Sequence, residues 1–160
     1  MKNFKIVPIA AATANAIRLS MRDNFGNDAL LQLANGKGPC RQSLKPFKKG
    51  EDKRILFAYS PFSKPGLYAE SGPVFIQAAA IESYSDVYHF PPEIKADKKN
   101  FPLSLIGYNE NDMMVYTKQV GDADVDELIE KIFIERSEVA YMHARNAEAC
   151  CFICAIERIS

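Results

Sequence analysis

Between residues 35 and 92 the chain meets turn chemistry again and again. Asn35-Gly36-Lys37-Gly38-Pro39, Lys48-Lys49-Gly50-Glu51-Asp52, Ser60-Pro61, Lys64-Pro65-Gly66, Ser71-Gly72-Pro73 and Phe90-Pro91-Pro92 follow one another. Proline fixes φ and removes a backbone donor, and glycine admits positive φ, so these clusters break regular structure where they stand. What fits between and after them is short and β-like: residues 55–59, 74–77, 103–108 and 113–117. Short strands at such spacing pair antiparallel.

Helices have to come from elsewhere in the chain. Val125, Leu128, Ile129, Ile132 and Phe133 recur at helical spacing and make one apolar stripe. Asp124 precedes them as an N-cap with Glu127 three residues on, the pattern of a capping box. A second, shorter helix is expected over residues 28–33. The N-terminus reads as a strand over residues 4–7 entering a short helix. At the other end, residues 139–145 and 150–159 flank the turn Asn146-Ala147-Glu148-Ala149, a hairpin signal. The expectation is an α+β fold: a mainly antiparallel sheet with a C-terminal hairpin and two to three helices, in a single domain spanning residues 1–160.

Charge narrows the partners. Lys plus Arg and Asp plus Glu are both 20, so no general attraction to nucleic acid or to an anionic membrane follows. The basic cluster Lys45, Lys48, Lys49, Lys53, Arg54 is interrupted by Glu51 and Asp52 and reads as a solvated turn. The start of the chain imitates a secretory signal, with Lys2 and Lys5 before an apolar stretch and Ala14-Asn15-Ala16 as an A-x-A site. That stretch is short, Ala-rich and broken by Pro8. No apolar run approaches the ~20 residues that span a bilayer. The expected address is the cytoplasm, where the 4 cysteines stay as free thiols.

Three cysteines crowd the tail, and Cys151-Phe152-Ile153-Cys154 has the spacing of a metal or redox motif. In a β-like run, however, residues three apart point to opposite faces, so two sulfurs cannot converge on one ion. A redox pair wants a helix N-terminus, which is missing here. Cys150, Cys151 and Cys154 are therefore expected as small buried residues of a central strand, with no metal and no cofactor. In the strand before the turn, Tyr141, His143 and Arg145 share a face that carries a titratable imidazole and a fixed positive charge. Its bland alternative is a solvated edge. Cys40 follows a glycine-rich turn beside Arg41, where a nucleophile is plausible; the bland alternative packs it inward and pairs Arg41 with an acid such as Glu70.

Several stretches together resemble a bacterial family known only as domain of unknown function 1203. They are residues 4–9, 23–27, 36–41, 55–62 and 72–76, then His143-Ala144-Arg145-Asn146 and Cys151-Phe152. The resemblance implies shared positions at Cys40, Arg41, Gly72, Pro73, Phe75, His143, Arg145 and Asn146, and implies no activity. Relatives often read Gly-Pro-Cys-Arg-His-Cys where this chain has Gln42 and Ser43. They often carry His where it has Gln77, and Gly where it has Cys150. Any metal site built from those extra ligands is lost here.

Two functional readings follow. The leading one is binding of a small anionic molecule by Arg41, Arg145, Asn146 and Gln77, since Arg matches carboxylate and phosphate with paired hydrogen bonds. The other is a cysteine-dependent enzyme, with Cys40 as nucleophile and His143 as base. A structural or protein-interaction role stands third. The sequence leaves the ligand and the oligomeric state open.

Overall fold

The computed structural model describes residues 2–160. Eleven elements follow in order: β1 (Phe4–Val7), α1 (Ala11–Ser20), β2 (Leu30–Leu33), β3 (Lys53–Tyr59), β4 (Gly72–Gln77), α2 (Pro92–Lys95), β5 (Leu103–Tyr108), β6 (Met114–Gln119), α3 (Val125–Glu135), β7 (Tyr141–Asn146) and β8 (Phe152–Arg158). The strands form a 5-stranded sheet, ordered β1-β8-β7-β5-β6, and a 3-stranded sheet, ordered β2-β3-β4. Every pairing between them is antiparallel, as the short punctuated strands require. The fold is α+β.

Helix α3 forms as its periodicity predicts. The Asp124 carboxylate accepts from the Glu127 N–H at 3.1 Å, capping the helix start. Val125, Ile129, Ile132 and Phe133 are buried against one face of the larger sheet. Each such side chain contributes about 1.5–3 kcal/mol on burial. That face is supplied by alternate strand residues, including Leu103 and Leu105 of β5, Met142 and Ala144 of β7, and Cys154 and Ile156 of β8. The residues between them point the other way, toward the smaller sheet.

A second core fills the space between α1, the smaller sheet and the end of the β7–β8 hairpin. It holds Ile17, Ile55, Phe57, Val74, Ile76, Cys40 and Phe152. The segment over residues 60–71 then crosses in front of β7. Phe62 from this segment is buried with its ring 5.0 Å from that of His143.

Residues 28–33 are not a helix. Leu30 to Leu33 pair with Leu56 to Lys53 as an edge strand. Leucine and glutamine favour helices locally, but four residues are too few for periodicity to decide, and the cross-strand partner does. The Tyr141-His143-Arg145 face is not a solvated edge either, because His143 is 1% exposed.

Candidate anion-binding cleft at the hairpin end

The hairpin turn is organised by Asn146. Its Oδ1 accepts from the N–H groups of Glu148 and Ala149, both at 2.9 Å. The backbone closes the loop with Cys150 N–H to Asn146 O at 2.9 Å and Asn146 N–H to Cys151 O at 3.0 Å. Cys150 sits at φ 66, the left-handed region that glycine enters most easily. A register shift between Ala144 and Arg145 then breaks strict alternation where β7 meets the turn.

This geometry corrects the expectation that all three tail cysteines are buried. Cys154 is buried in the core under α3, while Cys150 is exposed and Cys151 half-buried. The turn and the shifted register lift the first two out of the strand pattern. Burial pushes the Cys154 thiol up to about 12.

Arg41 reaches this end of the hairpin from behind. The chain before it turns at Gly38, at φ 87, where an added Cβ would lie 2.4 Å from the Phe47 ring. Backbone bonds fix Arg41 in place: its N–H donates to Phe75 O at 2.9 Å and its carbonyl accepts from Ile9 N–H at 3.0 Å. The side chain is 1% exposed. Nε donates to Phe152 O at 2.6 Å, Nη1 to Pro39 O, and Nη2 to Cys151 Sγ at 3.3 Å. Burial lowers its pKa from the ordinary arginine value, and the nearby thiols of Cys151 and Cys40 oppose that shift.

Cys151 lines a cleft of about 260 Å³, together with Tyr59, Glu70, Pro73, Arg145 and Phe152. Arg145 Nη1 donates to Cys150 O at 3.1 Å, and Nη2 stands 3.5 Å from Glu70 Oε1. The Arg145 side chain is 16% exposed and that of Glu70 is 69% exposed. Glu70 thus pairs with Arg145 and not with Arg41. A wider hollow of about 580 Å³, lined also by Phe62, Ser63 and Lys64, shares Tyr59, Glu70 and Ser71 with the cleft.

His143 lies beside the cleft but does not line it. Its ring is boxed by Phe62 at 5.0 Å, Tyr108 at 4.9 Å, Tyr141 at 5.4 Å and Phe152 at 5.1 Å. Nδ1 is buried and has no hydrogen-bond partner among the described residues. Burial, helped by the positive charge of Arg145, pushes its pKa down to about 3. The imidazole is neutral at ordinary pH.

The remaining sequence-predicted residues separate. Cys40 is 1% exposed, and its Sγ accepts from the Gln77 N–H at 3.3 Å. The Gln77 carbonyl accepts from Arg18 Nε at 3.0 Å, and Arg18 Nη2 donates to Gln42 Oε1 at 2.7 Å. No hydrogen bond joins Cys40 to His143 among the described residues, and neither lines the cleft. The residues that sequence reasoning missed are Cys151, Tyr59 and Glu70. Cys151 carried one usable signal, its place among the stretches shared with relatives.

A family model described as "Protein of unknown function (DUF1203)" matches residues 37–158. The chain belongs to this family. All the residues that build the DUF1203 cleft, from Arg41 through residues 60–71 to Arg145 and Cys151, fall inside the matched range, while β1 and α1 precede it. No curated protein and no solved structure matches the chain. Among the described residues no group of three or more His, Cys, Asp or Glu could hold a metal, and no helix is long and apolar enough to cross a membrane.

Proposed function

We propose that this DUF1203 protein binds a small anionic molecule in the cleft at the hairpin end, with Arg145 as the group that meets the anion. The observation that carries this reading is the state of the Arg145 guanidinium. It is held in the cleft by the Cys150 carbonyl, and the carboxylate it faces is the largely exposed Glu70 at 3.5 Å. That separation exceeds a good charge-assisted hydrogen bond of about 2.7–2.9 Å. An incoming carboxylate or phosphate can displace Glu70 and take two parallel N–H bonds from the same fork. A cleft of about 260 Å³ suits a small molecule; the usual range for small-molecule pockets starts near ~300 Å³.

Arg41 supports the wall and does not reach the ligand, because its side chain is buried behind Cys151. Asn146 shapes the turn, and Gln77 belongs to the Arg18 cluster. The catalytic pairing of Cys40 with His143 finds no matching observation: the thiol is buried and the imidazole is boxed by aromatic rings. The proposal includes a single domain in a bacterial cytoplasm, where the free thiols would persist, and no nucleic-acid or membrane partner.

The experiment is a thermal-shift screen of phosphate, sulfate and small di- and tricarboxylates against the native chain and Arg145→Gln. Stabilisation of the native chain that is lost in the variant supports the reading. Equal shifts in both chains exclude Arg145 as the anion's partner.

A further inference from the structure

Arg41 is a buried cation that pairs with no carboxylate among the described residues. A guanidinium carries five N–H donors, yet the acceptors around this one are the carbonyls of Pro39 and Phe152 and the sulfur of Cys151. The titratable groups that act on it are the thiols of Cys151, Cys40 and Cys154. Burying a charge without an opposite charge is costly, and the hydrogen bonds that Arg41 makes here are to two carbonyls and a thiol. Cys40 and Cys154 are sealed at 1% and 0% exposure. Cys151 is half-buried, lines the cleft and takes the Nη2 hydrogen bond.

We infer that Cys151 is an oxidation site, at which a hydroperoxide entering the cleft converts the thiol to a sulfenic acid that Arg41 holds. A sulfur lone pair attacks one peroxide oxygen, the S–O bond forms as the O–O bond breaks, and the departing oxygen takes the thiol proton. It leaves as water when the oxidant is hydrogen peroxide. Sulfur loses two electrons and the peroxide gains them. A second hydroperoxide carries the sulfur to the sulfinate. That group is an oxyanion and supplies a counter-ion to Arg41. Arg145, on the wall of the same cleft, presents a second cation to the oxygens.

Cys150 provides an internal control. It is the more exposed neighbour, and its thiol donates weakly to Glu148 O at 3.7 Å. If accessibility alone governed oxidation, Cys150 would react first. If the guanidinium governs it, Cys151 does.

The test treats the folded full-length chain with hydrogen peroxide in the presence of dimedone and reads each cysteine by tandem mass spectrometry. The expected result is labelling of Cys151 roughly tenfold faster than Cys150 or more. An equal or faster rate at Cys150 overturns the inference. Arg41→Met is expected to bring Cys151 down to the rate of Cys150, and an unchanged preference in a folded variant also overturns it. Should that variant not fold, the ratio in the native chain decides alone. The inference stands apart from anion binding at Arg145: Arg145→Gln is expected to lose the anion response and keep Cys151 the faster thiol.

Discussion

Arg41 and Cys151 are 110 residues apart in sequence, and the fold sets the guanidinium nitrogen of one 3.3 Å from the sulfur of the other. This contact joins the glycine-rich turn of the first half to the hairpin of the last. Arg41 also ties β8 to its own loop through Phe152 O and Pro39 O. Replacing Arg41 with Met leaves both buried carbonyls without their donor. The expected loss is about 2 kcal/mol or more, read from the urea midpoint at unchanged slope.

Gly38 prepares that placement. It combines φ 87 with a Phe47 ring atom 2.4 Å from where a Cβ would stand. Gly38→Ala is expected to cost at least ~1–2 kcal/mol from the left-handed backbone alone, with the ring displacement added to it. The turn before Cys40 and Arg41 should loosen with it, visible as faster amide exchange at Arg41. By contrast, Gly36→Ala meets nothing within 4 Å and has no such φ, so it should leave stability nearly unchanged.

His143 makes stability depend on acid in a predictable direction. Its folded pKa is pushed down to about 3, below an unfolded value near ~6.5. As pH falls below the unfolded value, the unfolded chain gains a proton that the folded chain refuses. Stability is therefore fully present above about 6.5 and drains away as pH drops toward about 3. The slope approaches ~1.4 kcal/mol per pH unit. His143→Phe keeps the aromatic box and removes the proton site. Between those limits the stability difference, variant minus native, should rise as pH falls, and a flat difference contradicts the account.

Phe62 is the plug that seals this box. Its ring packs edge-on against Tyr108 at 5.1 Å as well as against His143. Phe62→Ala is expected to destabilise by about 3 kcal/mol, at the lower end for a buried aromatic. It should also open His143 to solvent, raising its pKa toward the ordinary imidazole range, as imidazole NMR titration would detect.

Much of this architecture was legible in the residues. Turn chemistry announced short antiparallel strands, the stripe from Val125 to Phe133 announced α3, and Asn146 to Ala149 announced the hairpin turn. Residues 28–33 differ from the expected helix because a short leucine-rich run fits helix and strand alike, and its partner β3 begins at Lys53, far along the chain. The site was legible only as separate pieces. Arg145 was marked by its face of the hairpin, but strand alternation hid Cys151, whose exposure depends on a register shift and a left-handed Cys150. Glu70 was matched to the wrong arginine, because only the path of residues 60–71 decides which guanidinium it meets.

Whether Arg145 meets the anion is read from its own Nε–H resonance. Phosphate and small dicarboxylates would be titrated into the labelled full-length chain, with Arg145→Gln used to assign the signal. Anion binding at Arg145 should give a saturable shift of that resonance, with backbone shifts at Cys150, Cys151 and Glu70, and none of comparable size at Arg18 or Gln77. A resonance that stays fixed while other arginines respond would contradict it.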